Sequence, residues 1–137
     1  MKKIIVLLGL LFSFGLTYAE NNDTANTAPF IDIGNDIAAA IRAGDASKLA
    51  AYFAPTVELS LPGKSGNYSK AQAQIILGDF FDKNPPASFT MNYIGNISEF
   101  KKYYLGNYVT AGKNYKVYYL VSKGNDGNLQ LLVLKFE

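Results

Sequence analysis

Two carboxylates, Glu58 and Asp79, are the strongest candidates for acid–base chemistry in this sequence. Glu58 lies in a segment whose apolar residues alternate as in a strand, and Asp79 lies in a segment with helical periodicity. A carboxyl group that is buried away from water acquires a raised pKa and can then act as a general base. The alternative is that both side chains are ordinary solvated charges, and the pattern around each residue favours that alternative.

The residue composition excludes several common kinds of catalytic site. The chain of 137 residues has no cysteine, which excludes disulfides, thiolate catalysis and cysteine–zinc sites. It also has no histidine, which is the commonest general base and the commonest metal ligand. We therefore expect no catalytic residue beyond the two weak candidates, no metal site and no cofactor.

The charge balance argues against a nucleic-acid partner. The whole chain has a formal charge of +2, and Lys2 and Lys3 lie in an N-terminal segment that we predict to be removed. Without them, basic and acidic residues are equal in number. Such a domain has no long-range field to attract nucleic acid or an anionic membrane.

The tripeptide Gly63-Lys64-Ser65 looks like the end of a phosphate-binding loop. That motif needs a glycine five positions before Gly63, where this sequence has Glu58. The helix that would have to follow the loop also begins several residues too late. We interpret the tripeptide as part of a solvated loop.

Tyrosine is the recurring signal in the C-terminal half, within a chain of 10 Tyr, 9 Phe and no Trp. Alternation places Tyr104 and Tyr108 on one face of a strand, and Tyr115 and Tyr119 on one face of the next. A concave surface lined by tyrosines suits a flat apolar ligand with a polar edge. Alternatively, aromatic pairs across strands simply stabilise the sheet. The residues predicted to line such a pocket are Tyr52, Phe53, Phe80, Tyr93, Tyr104, Tyr108, Tyr115 and Tyr119.

Three helices are predicted to position these residues. The first spans 30–43 and the second 46–54, with a left-handed glycine expected between them. The third begins after Ser69, which can form a capping box with Gln72, and prolines end it after residue 84.

Five strands are predicted from alternating apolar and polar residues. The first, 56–61, precedes the third helix and is separated from it by a loop at 62–67. The other four are joined by short turns and span 88–96, 99–110, 114–123 and 128–136. We predict an α+β fold of one domain, in which three N-terminal helices pack on a curved, mainly antiparallel sheet of about five strands.

The segment 39–58, AAIRAGDASKLAAYFAPTVE, resembles the opening of nuclear transport factor 2-like (SnoaL-like) domains. From about residue 31 to 137, the chain is similar to the bacterial secreted family known as domain of unknown function 4783. The resemblance implies a sheet that curls into a cone, helices that close its wide end around a pocket, and no established activity. Enzymes of the superfamily place Asp or His in that pocket. Because this chain has no histidine, the resemblance identifies no catalytic residue.

The N-terminus predicts export. Lys2 and Lys3 precede an apolar stretch at 4–16, and Thr17-Tyr18-Ala19 ends in the small residues that signal peptidase accepts. We predict a signal peptide at 1–19, a disordered leader at 20–29 and the domain at 30–137. The protein is then expected to be periplasmic or secreted, with no integral membrane segment after cleavage. The alternative is an uncleaved N-terminal anchor.

The last predicted strand is apolar on both faces, where a half-buried strand would alternate. One face can pack on the helices, and the other needs a cover. We predict a homodimer through the convex face of the sheet, with the interface formed by Leu132, Leu134 and Phe136. The alternative cover is the N-terminal segment of the same chain.

Three functions are consistent with these features. The first is a non-catalytic, exported binding or accessory domain, which uses the cone for a small apolar ligand or the sheet for protein contact. The second is a cofactor-free isomerase or dehydratase with a buried carboxylate as base. The third is a structural homodimer with a filled cone.

Overall fold

The computed structural model describes residues 23–137, with side chains from residue 27 onward. The predicted signal peptide and residues 20–22 lie outside the described residues. The helices are α1 (Asp23–Ala43), α2 (Ala46–Ala50) and α3 (Lys70–Lys83). The strands are β1 (Phe53–Leu61), β2 (Lys64–Ser69), β3 (Ser88–Ser98), β4 (Lys101–Thr110), β5 (Lys113–Lys123) and β6 (Leu129–Phe136). Within the described residues, no helix combines the length and apolar character that crossing a membrane requires.

The strands form one sheet in the order β2-β1-β6-β5-β4-β3. All neighbours are antiparallel except β1 and β6, which run parallel. The helices pack on one face, and bulges in the ladders curve the sheet around them. The predicted α+β fold, with helices on a curved and mainly antiparallel sheet, is confirmed.

Three predicted boundaries need correction. The sheet has six strands rather than five, because the predicted loop at 62–67 contains most of β2. Residues 23–29 of the predicted disordered leader belong to α1, which includes Pro29. The second helix is shorter than the predicted 46–54, since β1 already begins at Phe53.

The capping residues predicted at Gly44, Asp45 and Ser69 adopt the expected geometry. Gly44 adopts a φ of +63° after α1, and Asp45 accepts a hydrogen bond from the Lys48 backbone N–H at 3.0 Å. Ser69 and Gln72 form the capping box at the start of α3. These local signals fix the end of α1 and the starts of α2 and α3, and so how the apolar sides of the helices meet the sheet.

A bulge in β6 reverses the faces predicted for the residues that follow it. In the pairing with β5, Val133 lies opposite Leu120 and Leu131 lies opposite Val121, so Leu132 has no partner. Leu131, Leu134 and Phe136 all face the helices in consequence, and each is at most 1% exposed. The prediction that places Leu134 and Phe136 on the convex face is therefore wrong, and only Leu132 of the predicted interface lies outside the core.

Candidate functional site

Two tyrosines occupy the concave side of the sheet beneath α1. Tyr104 and Tyr119 are fully buried, and their rings stack with centroids 4.6 Å apart and an interplanar angle of 8°. The Tyr104 hydroxyl donates to the Phe30 carbonyl at 2.5 Å, and the Tyr119 hydroxyl donates to the Gly34 carbonyl at 2.9 Å. Both hydroxyls thus bind the backbone of α1, and neither is directed at an open cavity.

A third buried tyrosine fastens the end of α3. The Tyr108 hydroxyl donates to the carbonyl of Asn84, and the neighbouring Thr110 hydroxyl donates to the carbonyl of Pro85 at 2.8 Å. Burial raises the pKa of Tyr108 to about 12, and a repulsive contribution from Tyr115 acts in the same direction. The hydroxyl therefore stays protonated at neutral pH and serves as a donor to the chain that follows α3.

Burial also dominates the electrostatics of the stacked pair. Desolvation raises the pKa of Tyr104 and of Tyr119 well above the ordinary value of 10.0. For Tyr119, the neighbouring Tyr104 adds to the increase and Arg42 opposes it. The Arg42 side chain donates from Nε to the Phe89 carbonyl at 3.1 Å, which places its charge beside the aromatic layer.

The two candidate carboxylates lie at the surface, in ion pairs. Glu58 projects from the convex face of β1 and accepts from Lys135 Nζ at 3.1 Å. This hydrogen bond raises the pKa of Lys135. Asp79 pairs with Lys83 at 2.9 Å along α3, and both side chains are mostly exposed. Across the described part of the chain, no group of three or more carboxylates comes together to hold a metal ion.

A row of three tyrosines crosses the convex face of the sheet. The ring centroids of Tyr93 and Tyr103 are 5.9 Å apart, and those of Tyr103 and Tyr118 are 5.8 Å apart and nearly parallel. Gly95 permits this packing, since a Cβ there would lie 2.1 Å from the Tyr103 ring. Interaction with Tyr93 raises the pKa of Tyr103. Tyr93 remains 53% exposed, so the row ends in solvent.

Apolar side chains continue from this row and line a shallow depression of about 590 Å³. Leu105 is 39% exposed, and Leu120 and Val133 pair directly across β5 and β6. The depression is bordered by Glu58, Lys116, Lys135 and Glu137. We call the surface formed by Tyr93, Tyr103, Tyr118, Leu105, Leu120, Val133 and these charges the convex patch.

The family model for "Domain of unknown function (DUF4783)" matches residues 34–137, which is most of the chain. The chain belongs to the DUF4783 family. None of the curated proteins is significantly similar to it.

Solved structures share the fold of this DUF4783 domain. A DUF4783 protein from Bacteroides ovatus ATCC 8483 is 23% identical with a TM-score of 0.68, over 74% of this chain and 90% of that one. A DUF4783 protein from Bacteroides uniformis ATCC 8492 is 21% identical with a TM-score of 0.71, over 77% and 95%. An NTF-2 like protein of unknown function from Silicibacter pomeroyi DSS-3 is 12% identical with a TM-score of 0.58, over 83% and 96%. The expected nuclear transport factor 2-like fold is thereby confirmed.

The residues predicted to share one ligand pocket are distributed over the DUF4783 domain. Three of them, Tyr104, Tyr108 and Tyr119, fill the interior. Tyr52 and Phe53 line a surface groove beside α1, whereas Phe80 and Tyr115 line a depression at the other end of the helical layer. Tyr93 lies on the opposite face of the sheet, in the convex patch. Strand alternation indicated which tyrosines share a face but not which face meets the helices.

The convex patch of the DUF4783 domain was missed at the level of sequence, although a signal for it exists. Tyr103 and Leu105 alternate with Tyr104 in β4, and Tyr118 and Leu120 alternate with Tyr119 in β5. Both strands therefore carry apolar side chains on both faces, the same pattern that predicts a covered second face for the last strand. The apolar residues on both faces of β4 and β5 are therefore the sequence signal of the patch.

Proposed function

We propose that this DUF4783 domain is a non-catalytic, exported interaction domain that works as a homodimer through its convex patch. The observation that carries the proposal is the contrast between the two faces of the sheet. The concave face is filled by tyrosines bonded to α1 and to the end of α3. The convex face presents aromatic and aliphatic side chains that no element of the described chain covers.

The filled interior favours the structural function over ligand binding inside the cone. The rings of Tyr104, Tyr108 and Tyr119 are fully buried, and none of them lines the depression of the convex patch or the two surface cavities that contain other predicted pocket residues. A ligand in that position would have to displace stacked rings and break hydrogen bonds to backbone carbonyls. The loss of buried contacts makes this costly.

The isomerase or dehydratase alternative needs a buried carboxylate that faces tyrosine hydroxyls. Glu58 lies outside the cone and pairs with Lys135, and Asp79 pairs with Lys83 in solvent. Neither arrangement supports a general base, so the non-catalytic function is preferred.

The charges of the convex patch suit self-association. A two-fold dimer places the same patch of both copies in contact, so the patch must complement itself. Its depression is bordered by two acidic residues, Glu58 and Glu137, and by two basic residues, Lys116 and Lys135. Glu58 and Lys135 already pair within each copy, so Lys116 and Glu137 are the charges left to pair with Glu137 and Lys116 of the other copy, around an apolar centre.

The sheet face is large enough for a stable interface. Six strands about 4.8 Å apart and roughly ten residues long present a face on the order of 900 Å². A stable interface typically buries about 800 Å² on each partner. Dimerisation through this face would then bury the convex patch together with most of the rest of the sheet face.

Sedimentation equilibrium of the mature protein, 20–137, tests the proposal through Leu105→Glu. We expect a dimer for the wild type at tens of micromolar, and a monomer for the variant, because a carboxylate would be buried at the apolar centre. Ile75→Glu on α3 is the matched control: Ile75 is 73% exposed and lies outside the patch. A wild type that remains monomeric, or a Leu105→Glu variant that remains dimeric, contradicts the proposal.

A further inference from the structure

A second depression, of about 460 Å³, lies where the β1–β2 turn, the last turn of α3 and the β4–β5 turn meet. Its apolar lining is formed by Leu61, Ile76, Phe80 and Tyr115. The Phe80 and Tyr115 rings meet edge to face, with centroids 5.8 Å apart. The volume lies within the range of about 300–1,000 Å³ typical of small-molecule sites.

Three lysines from three different elements surround this depression: Lys64, Lys83 and Lys113. Asp79 is the one acidic residue in the lining, and it is already paired with Lys83 at 2.9 Å. Within residues 27–137, neither Lys64 nor Lys113 forms an ion pair. Two uncompensated positive charges therefore border an apolar surface.

The positions of the two unpaired lysines are set by equivalent turns. Pro62-Gly63 joins β1 to β2, and Ala111-Gly112 joins β4 to β5. Gly63 and Gly112 have φ values of +80° and +72°, which glycine adopts without strain. In each case the lysine is the first residue of the next strand. The Gly-Lys pair at 63–64, which resembles part of a phosphate-binding loop, thus has a structural counterpart at 112–113.

The groove beside α1 provides an internal contrast. It is lined by Asp32 and Asp36 with Lys70 as the one basic residue, so its charge balance is the reverse. The two ends of the helical layer therefore differ in sign, although the domain as a whole is close to neutral. The depression lined by the lysines is therefore electrostatically more favourable for a negatively charged ligand than the groove beside α1.

We propose that the depression bordered by Lys64 and Lys113 binds a small anionic amphiphile, a molecule with an apolar body and one negatively charged group. The apolar body packs on Ile76, Phe80 and Tyr115, and the charged group lies between the two lysines. The site shares no lining residue with the convex patch. Its occupation is therefore independent of the proposed dimer.

A matched pair of fluorescent probes tests this site in the mature protein, 20–137. The anionic probe is 8-anilinonaphthalene-1-sulfonate, and the neutral probe is N-phenyl-1-naphthylamine, which lacks the sulfonate. We expect the double variant Lys64→Gln, Lys113→Gln to bind the anionic probe with an affinity about three- to tenfold lower, the range that two exposed charge contacts give. Its affinity for the neutral probe should stay within about twofold of that of the wild type. Lys116→Gln in the convex patch is the control and leaves both probes unchanged.

The apolar lining has its own matched comparison on α3. Ile76→Asn is expected to lower the affinity for both probes. Ile75→Asn changes a neighbouring residue that is 73% exposed, and it should leave both affinities unchanged. Circular dichroism establishes that each variant is folded. Three results would overturn the proposal: no binding of the anionic probe by the wild type, equal weakening of both probes by the lysine variant, or the same loss from Lys116→Gln.

Discussion

Tyr119 donates its buried hydroxyl to the backbone carbonyl of Gly34, 85 positions away in the chain, at 2.9 Å. The Tyr104 hydroxyl donates in the same way to the Phe30 carbonyl, so two of the tyrosines that stand out in the sequence connect the sheet to α1. Residues that suggest a ligand pocket when only strand alternation is known therefore occupy the space that a ligand would need.

Removing the Tyr119 hydroxyl tests that connection. We expect Tyr119→Phe to lower the free energy of unfolding by about 1 kcal/mol, because a buried hydrogen bond is lost while the ring remains. Tyr118→Phe is the matched control on the neighbouring residue of the convex face, and we expect a change within about 0.5 kcal/mol. Urea unfolding at one protein concentration measures both. Equal effects of the two substitutions would show that the hydroxyl of Tyr119 does not stabilise the fold.

The close approach of α1 to Tyr104 depends on Gly34. A Cβ at Gly34 would lie 2.3 Å from Cε1 of Tyr104, so Gly34→Ala is expected to destabilise the domain by about 1–3 kcal/mol despite the higher helix propensity of alanine. Gly78→Ala in α3 is the control: its Cβ would have Ala46 as its nearest neighbour, at 3.7 Å. We expect that control to stabilise the domain by about 0.5–1 kcal/mol. Urea unfolding that finds Gly34→Ala as stable as the wild type would contradict this packing.

The bulge in β6 makes opposite predictions for two nearby leucines. Leu134 is fully buried, and its truncation to alanine is expected to lower the free energy of unfolding by about 2–5 kcal/mol. Leu132 lies unpaired at the bulge, and the same truncation is expected to cost about 1 kcal/mol or less. Chemical unfolding of the two variants under identical conditions compares them. A larger loss of unfolding free energy for Leu132→Ala than for Leu134→Ala would indicate an uninterrupted alternation in β6 and contradict the bulge.

Stability is expected to fall at alkaline pH because of the buried tyrosines. Burial raises the pKa of Tyr108 to about 12 from an ordinary value of 10.0, so the folded state retains a proton that the unfolded state loses. This stabilising contribution is complete below pH 10 and is lost as the pH rises from 10 towards 12. Urea midpoints measured from pH 9 to 11.5 should fall less steeply for Tyr108→Phe than for Tyr118→Phe. Identical pH dependence of the urea midpoint in the two variants would contradict a raised pKa of Tyr108 in the folded state.

The sequence predicts the end of α1, the start of α2, both ends of α3 and the meander well because their signals are local. The capping box at Ser69, the left-handed Gly44 and the two-residue turn at Ala111-Gly112 each act over a few residues. They are therefore visible without knowledge of the tertiary structure.

Strand β2 was missed because its residues carry no apolar alternation. Lys64–Ser69 is mostly exposed, and its three residues on the core side, opposite the buried Val57, Leu59 and Leu61, are Tyr68, Gly66 and Lys64, of which only Tyr68 has a large apolar side chain. What makes this segment a strand is its ladder with β1, which no local pattern encodes. A short, polar edge strand of this kind depends on its neighbour.

The candidate pocket could not be predicted because alternation has no absolute direction. A period of two indicates that Tyr104 and Tyr108 share a face, but the packing of α1 decides that this face is filled. In β6, one unpaired residue reverses the assignment for everything after it, which moved Leu134 and Phe136 from the predicted interface into the core.

The central claim is that the convex patch, and not the interior of the cone, is the working surface of the domain. Mixing uniformly ¹³C-labelled and unlabelled protein that comprises residues 20–137, then recording isotope-filtered nuclear Overhauser spectra, detects only contacts between copies. The account predicts contacts between the methyl groups of Leu105, Leu120 and Val133 in one copy and the rings of Tyr103 and Tyr118 in the other. A spectrum without contacts between copies, or with contacts only from residues on the helical side such as Ile75, would contradict it.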